Sequence, residues 1–464
     1  MTLPITDLKK ALLFFLNNLK PADLTGNNLI SFAYKLEQTD LTPLIDPILQ
    51  ENNKLFYLNR PEENLVILAF EEAFSSKIIV SNKLTAMEDM ISGIAGTLIC
   101  NYDKESIDPF PMFMGGTKFC SGKKSGEWDD FRDNDWFIPR FLFYLKNNKY
   151  WLVINFYIDK MSTSESQVND LFESLDKLNN DHPVSKNNLP EIKIRVIENE
   201  KENWNKLVSD ALGRIEEGFF RKVVLSRRII AEIKKSPLFS RVLSDLRENY
   251  KNCTVFLYKS GNSILFGATP EQLLKFNKNE LEFDALAGSA KRGMTDEEDK
   301  IIAGNLINDK KNIQEHNHVI DFIKEASSTY VKNFRQFDTG IKKFSNIQHI
   351  YTPIKAELNS EAYIFNLVDE IYPTPAICGS PKESSLNYII KNEEFDRGLF
   401  SGIIGFISPG KMDLVIAIRS ALLKDNILYI YAGCGIVKGS DPVSEFEETE
   451  IKMYPILSLF TNAN

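Results

Sequence analysis

Residues 220–228 read FRKVVLSRR, a strand-like run with a lysine set among apolar residues. Side chains alternate along a strand, so Lys222, Val224 and Ser226 share one side and Arg221, Val223 and Leu225 the other. Two readings of Lys222 are open. It is an edge-strand lysine whose stem lies on apolar surface while its ammonium reaches water, or a lysine held for chemistry. The flanking sequence decides the fold. Upstream, Trp204, Leu207, Val208, Ala211 and Ile215 fall at helical spacing, with Gly218 placed as a C-terminal cap. Downstream, TVFLYKS (254–260), SILFGAT (263–269), QLLKF (272–276) and LEFDALAG (281–288) read as strands punctuated by Gly and Asn. Further out, FIPRFLFYLKNNKYWLVINFYI (137–158) predicts two strands joined through Asn147 and Asn148. Thr295 and Glu298 form a capping-box pattern that opens one long helical stretch to about Ser327. Helix signals over 363–371 precede LVIAIRSALL (414–423) and ILYIYAGCGIV (427–437), which look like a hairpin pair. A final helix starts at Asp441-Pro442, with proline at its first position. Hairpin-linked strands interrupted by helices point to an α+β fold and not to a regular alternation of βαβ units.

At 464 residues the chain is long enough for a large core and exceeds one simple domain. The stretch 176–202, rich in Asn, Lys and Pro, reads as a surface connection. It separates an N-terminal portion, 1–190, expected to lend strands to the same α+β body, from a C-terminal portion, 200–464. With 43% hydrophobic and 26% charged residues, wholesale disorder is excluded. A net charge of −9 argues against a nucleic-acid-binding surface but leaves room for an anionic small molecule met by local cations. The five cysteines are odd in number and scattered without a CxxC pair, so neither a disulfide framework nor a zinc site is indicated, and a reducing cytoplasm fits best. The N-terminal MTLPITDLKKALLFFLNNL reads as an amphipathic helix and not a signal peptide. No apolar stretch approaches the ~20 residues that span a bilayer, so a soluble protein without membrane partners is expected.

Familiar catalytic motifs are mostly missing. GGTKFCSGKKSG (115–126) resembles a phosphate-binding loop, but Gly122-Lys123 would need glycine at Thr117, and Lys124 stands where Ser or Thr belongs. With four histidines and no GxSxG or HExxH, a histidine-based hydrolase has little material. Carboxylates carry more. Glu315 aligns at helical spacing with Val319, Phe322 and Ile323, so it needs a cation or metal if that face is buried; the alternative is a surface pair with Lys311. Glu445, Glu448 and Lys452 share one face of the last helix, an arrangement that hard-oxygen Mg²⁺ sites use but that a solvated charged face also shows. Glu271 follows a strand and a turn proline and could be a helix-start residue. Arg419, in the run VIAIRSALL, could take a carboxylate in its fork or simply end a strand.

In order, the blocks KVVLSR, GATPEQLL, ALAGSAKRG, EHNHVID, PTPAICGSPKE, FDRGLFSGIIGF, IAIRSALL and YAGCGIVKGSDPVSEFEETEIK resemble the chorismate-binding enzyme family. That family includes isochorismate, salicylate, anthranilate and aminodeoxychorismate synthases. The resemblance runs from about Trp204 to the C-terminus; FIPRFLFYLKNNKYWL is similar to the family's lead-in, while residues 1–100 carry no motif. It implies an α+β fold of antiparallel sheets flanked by helices around a deep site, as in anthranilate synthase component I. It further implies Mg²⁺ held by Glu315 and Glu448, with Glu445 as an outer partner. The ion would meet the ring carboxylate of chorismate, Arg419 the carboxylate of the enolpyruvyl arm, and Tyr431 with the backbone of Ala432 to Gly435 would add donors. Gly288, Ser289, His349, Ala376, Gly433, Gly435 and Lys452 fall at substrate-binding positions.

By the same resemblance Lys222 is the general base that activates water against C2, and Glu271 the acid that protonates the departing C4 hydroxyl. The roles demand a lysine partly neutral near neutral pH and a glutamic acid that keeps its proton. Ala287 stands where aminodeoxychorismate synthases carry a nucleophilic lysine, and Ala376 matches the isochorismate-synthase pattern where anthranilate and salicylate synthases have threonine. Tyr372 replaces the usual histidine before PTPA. The expectation is therefore a cytoplasmic, monomeric, Mg²⁺-dependent isomerase that interconverts chorismate and isochorismate for menaquinone or siderophore synthesis. A salicylate synthase and an ammonia-dependent anthranilate or aminodeoxychorismate synthase component are the rivals; a non-catalytic relative would require lost catalytic groups.

Overall fold

A computed structural model describes residues 3–20, 24, 27–75, 83–102, 112–121, 126–158, 165–179, 192–195, 200–344, 347–360 and 363–460. Much of the 176–202 connection and the Gly122 to Lys124 part of the glycine-rich stretch lie outside the described residues. The predicted hairpin organises the rest. Asn147 and Asn148 have φ of 49° and 60°, the two left-handed residues that a tight turn between right-twisted strands requires. They join Asn134–Lys146 to Lys149–Ile158. The first of these strands is long enough to serve two sheets: Asn134 to Phe137 pair with Phe113–Thr117, and Phe141 to Lys146 pair with the hairpin partner.

One sheet then runs from Asn28–Leu36 through Lys149–Ile158, Asn134–Lys146, Leu65–Ser75, Lys54–Arg60, Thr254–Ser260, Ser263–Thr269, Ser420–Lys424 and Ile427–Val437 to Lys222–Ile233. The other runs from Phe113–Thr117 through Ile403–Ser408, Lys411–Ile416, Gln272–Asn277 and Glu280–Lys291 to Ile347–Leu358. These pairings are antiparallel; Leu98–Cys100 joins the edge of the first sheet in parallel. The α+β expectation, with antiparallel sheets flanked by helices, therefore holds.

Burial separates three apolar cores. Between the sheets lie Phe56, Ile67, Phe137, Leu142, Phe256, Ile404, Val415 and Leu422. The outer face of the first sheet is covered by Ile5–Asn17, Phe239–Asn249 and the end of Pro442–Phe460, through Leu8, Leu12, Val242, Leu246, Met453 and Ile456. The outer face of the second is covered by Lys310–Ser327 and Ile364–Ile371, through Val319, Ile323, Leu367 and Val368. Each such side chain contributes about 1.5–3 kcal/mol when withdrawn from water.

Two expectations need correction. The helical stretch after Thr295 is two helices, Asp296–Asn308 and Lys310–Ser327. Asp309 leaves helical geometry (ψ 119°) and caps the second helix by accepting from the Asn312 amide, a local bond that competes with helix continuation. LVIAIRSALL is not one strand either: Lys411–Ile416 belongs to the second sheet and Ser420–Lys424 to the first, with Ala417 to Arg419 crossing between them. Only Ser420–Lys424 forms the expected hairpin with Ile427–Val437. In the glycine-rich stretch, Gly115 to Thr117 are paired strand residues on both sides. All five cysteines are free thiols. None of the described helices is long and apolar enough to cross a membrane.

The chain path around Gly398 permits no side chain. Its φ is +54°, and a Cβ there would sit 2.1 Å from the buried indole of Trp128. Gly398→Ala should therefore lose roughly 2–4 kcal/mol from overpacking and left-handed strain together. Urea unfolding of the two proteins measures this; equal midpoints would show that the indole yields without cost.

Candidate active site

Lys222 does not sit on an open edge. Its strand, Lys222–Ile233, pairs along its whole length with Ile427–Val437, and its other side meets Gly379-Ser380 and Ile192–Ile194. The register sets Ser226 opposite Gly433, Val224 opposite Gly435 and Lys222 opposite Val437. The side chains on that face border a cavity of about 270 Å³ built from both sheets and two helices. Gly435 makes room for the lysine: a Cβ there would lie 2.7 Å from Lys222 Cε and 3.3 Å from Nζ. Gly433 does the same for Ser226, whose Oγ would be 2.7 Å from a Cβ. The lysine's ammonium lies 2.8 Å from Glu315 Oε1, so Glu315 pairs across the cavity with Lys222 and not along its own helix with Lys311. Lys222 holds the Glu315 carboxyl below its usual range.

Glu271 enters from the crossover between Ser263–Thr269 and Gln272–Asn277; a strand follows it, so it starts no helix. Its amide donates to Thr269 Oγ1 at 3.2 Å and its carbonyl accepts from the Ile416 amide at 3.1 Å, which fixes the backbone. Burial pushes its carboxyl up to about 7 against the opposing pull of Lys222, Lys452 and Arg419. Lys222 and Glu271 thus face one cavity, the lysine paired with Glu315 and the glutamic acid held toward its protonated form by burial.

Arg419 lies in the crossing between sheets, with φ +53°, and not within a strand as its sequence neighbours imply. Facing it, Ser401 has φ +59°, its amide donating to the Ala417 carbonyl at 2.9 Å. Left-handed geometry costs a non-glycine residue about 1–2 kcal/mol, and such strain concentrates where a side chain must be aimed. Tyr372 is buried behind this wall and its hydroxyl donates to the Ser401 carbonyl at 3.0 Å. On the opposite side, the strand pair Glu280–Lys291 and Ile347–Leu358 shifts register between Ala287 and Ser289, leaving Gly288 as a bulge with φ +72°. Ser289 pairs with His349, whose imidazole burial drives well below its ordinary value, with Arg419 and Lys452 adding to the effect. His349 Nε2 is buried and unpartnered among the described residues.

The last helix brings Glu445, Glu448 and Lys452 to the cavity. Lys452 bridges Glu448 at 2.6 Å and donates to the Gly433 carbonyl at 3.0 Å. Burial opposes the Lys452 charge, yet Glu448 leaves it raised overall. Burial raises Glu445, with Glu448 adding to it. From the other face of the strand, Arg227 holds this helix in place through Thr449 (2.6 Å) and Glu450 (2.9 Å). Among the described residues no three His, Cys, Asp or Glu side chains gather closely enough to hold a metal by themselves. The donors fit Mg²⁺ in another way: Glu315 and Glu448 offer hard oxygens to one cavity, and this ion commonly takes one or two carboxylates and completes its shell with water and substrate.

Every residue singled out above as catalytic, substrate-binding or metal-holding borders this one cavity: Lys222, Glu271, Gly288, Ser289, Glu315, His349, Ala376, Arg419, Tyr431, Gly433, Gly435, Glu445, Glu448 and Lys452. Among the lining residues that were not anticipated are three uncharged polar ones, Ser226, Asn312 and Ser401. Ser226, whose buried Oγ has no partner among the described residues, lies four positions beyond Lys222, so strand alternation already placed it on the same face. Asn312 lies three residues before Glu315 on the helix, again a readable spacing. Ser401 had no such signal, because its left-handed backbone arises from the turn around it.

The Glu271 shift has a measurable sign. Between the unfolded value of 4.5 and about 7 the folded protein binds the proton that the unfolded chain has lost, so this group's contribution to stability falls as pH rises. Glu271→Gln carries no such proton. Its melting temperature relative to wild type should therefore climb between about pH 5 and about pH 8, read by thermal scans across the range; a flat difference would mean an unshifted carboxyl.

Comparison with known proteins agrees with this geometry. Residues 15–461 match the family model described as chorismate binding enzyme. The isochorismate synthase MenF of Bacillus subtilis is 29% identical over 441 residues, covering 93% of both chains. The salicylate biosynthesis isochorismate synthase of Pseudomonas aeruginosa is 34% identical over 259 residues, 55% of this chain and 54% of that one. Among solved structures, MenF of Escherichia coli, the menaquinone-specific isochorismate synthase, superposes with a TM-score of 0.80 at 20% identity, over 98% of this chain and 100% of that one. Anthranilate synthase component I of Streptococcus pneumoniae gives 0.69 at 21% identity, over 86% and 92%. With a match spanning nearly its whole length, this chain belongs to the chorismate-binding enzyme family.

Proposed function

We propose that this chain is an isochorismate synthase, an isomerase that replaces the C4 hydroxyl of chorismate by a hydroxyl at C2, taken from water. The observation that carries the reading is the pair facing one cavity: Lys222 seated over Gly435, and Glu271 held by burial at a pKa of about 7. The relatives named isochorismate synthase, one of them aligned over 93% of this chain, support it. So does Ala376, which leaves the cavity wall small and without a hydroxyl where the ammonia-using and pyruvate-eliminating branches carry threonine.

In the mechanism that follows, Lys222 accepts a proton from water as the water oxygen bonds to C2. The ring π electrons shift along the diene toward C4, and Glu271 protonates the C4 hydroxyl, which departs as water. One water enters and one leaves, so substrate and product are isomers and the reaction runs both ways. Arg419 orients the enolpyruvyl carboxylate, and Tyr431 with the backbone around Gly433 and Gly435 borders the same cavity. His349, kept neutral by burial, adds no charge beside these cations. Glu315 and Glu448 would hold Mg²⁺, with Glu445 behind them. When bound, the ion would neutralise and orient the ring carboxylate. A menaquinone or siderophore pathway would consume the product.

Proton transfer by a positioned group is worth roughly 10²–10⁴-fold. Lys222→Ala and Glu271→Gln should each bind chorismate yet lose turnover on that scale, and wild-type rates in either would overturn the roles. Gly435→Ala should lose at least about tenfold in kcat by displacing the amine. Because Glu271 acts protonated, activity should decline as pH rises through about 7. The deciding assay resolves products from chorismate and Mg²⁺ with and without ammonia. Isochorismate that stops short of full conversion, without pyruvate, is expected; salicylate with pyruvate, or an aminated product, would reassign the chain.

A further inference from the structure

We propose that the buried ion pair Glu393–Arg397 is the positioning element of the site, holding the Lys222 strand and the Ala376 segment at a set separation. The inference rests on the Lys222 role given above. The strand Lys222–Ile233 has Ile427–Val437 along one side, but on its other side, among the described residues, backbone pairing reaches only its two ends, to the Val224 amide at one and the Ile230 carbonyl at the other. Between them, the Val224 carbonyl and the Ser226 amide face a gap inside the protein, where an unpaired backbone group is costly. Two side chains take the place of the missing strand. Arg397 Nη2 donates to the Val224 carbonyl at 2.7 Å, and Glu393 Oε1 accepts from the Ser226 amide at 2.8 Å.

The same guanidinium reaches the adjoining segment, whose Cys378 carbonyl accepts from the Val224 amide at 2.8 Å, donating through Nη1 to the Ile377 carbonyl at 2.9 Å. Val224 and Ser226 flank the cavity beside Lys222, and Ile377 follows Ala376. Arg397 Nε bonds Glu393 Oε2 at 2.8 Å, and its guanidinium stacks 4.4 Å from the Phe119 ring. The side chains are 2% and 1% exposed. Burying an ion pair is a poor route to stability, since desolvation offsets much of the attraction and apolar replacements often do as well. What apolar side chains cannot supply is the rigid fork that ties two backbone segments and a carboxylate together. Neither residue borders the cavity, so the pair acts through the segments that it holds.

The test is the double variant Glu393→Leu/Arg397→Met, with Arg397→Lys beside it, each assayed as the Mg²⁺-supplemented full chain. Turnover is scaled to the fraction of molecules that bind chorismate by calorimetry. The expected result is a folded double variant with kcat lower by at least about tenfold and KM within about threefold. Arg397→Lys, which keeps the charge but loses the fork, should fall between it and wild type and decides the matter should the double variant not fold. A folded variant with wild-type kcat, or with the loss confined to KM, overturns the inference. Amide exchange gives a reading that needs no turnover. Peptides spanning 222–226 should exchange faster in Arg397→Lys, with those spanning 254–260 unchanged. Equal exchange at 222–226 overturns the positioning role even if the wild type converts no chorismate, an outcome that would separately overturn the proposed function.

Discussion

The pairing of Lys222–Ile233 with Ile427–Val437 is the constraint on which the site depends. Its register puts Lys222, Val224 and Ser226 beside Gly433 and Gly435, and the absence of two Cβ atoms turns a flat sheet face into a trough. A one-residue slip would move the lysine to the other face, among Val223, Leu225 and Ile436 of the apolar core. The geometry of this face is thus inherited from backbone hydrogen bonds, which are numerous and rigid, and not from the lysine's own flexible chain.

Around that trough the molecule places its charges in opposed pairs. Lys222 meets Glu315, and Lys452 meets Glu448, so two lysine–carboxylate pairs face one cavity. Glu271 is the exception. No lysine approaches it within ion-pair distance among the described residues, and burial outweighs the distant cations, which leaves a carboxyl able to hold or release its proton near neutrality. An anion entering this cavity would meet Arg419 and two lysines already held by carboxylates, so little reorganisation would be needed.

The two sheets divide the work. The first carries the lysine and the glycine trough; the second carries the Gly288 bulge, Ser289 and His349; Glu271 and Arg419 sit on the two crossovers between them. Crossovers are where the chain leaves ladder geometry: Arg419 takes a left-handed conformation there, and Ser401 takes one in the turn bonded to the Ala417 carbonyl. Tyr372 stands where the family usually has histidine, and its hydroxyl braces the Ser401 turn from outside the cavity, so the departure lies in the support of the wall and not in its lining.

Strand alternation, helical spacing and block order made much of this legible in advance. The alternation around Lys222 put it on one face with Ser226; the spacing of Glu445, Glu448 and Lys452 put them on one side of a helix; the capping residue Thr295 and the turn at Asn147-Asn148 marked real boundaries. These are local consequences of periods of two and 3.6 residues and of single-residue backbone preferences. Tertiary structure alone decided the rest. It paired Glu315 with Lys222, 93 residues away, in place of Lys311 four residues away. It broke LVIAIRSALL at Arg419 because two sheets, not one, claimed its halves, and it set the protonation of Glu271 through burial. Desolvation and long-range pairing depend on what the folded chain brings together, and no local pattern encodes them.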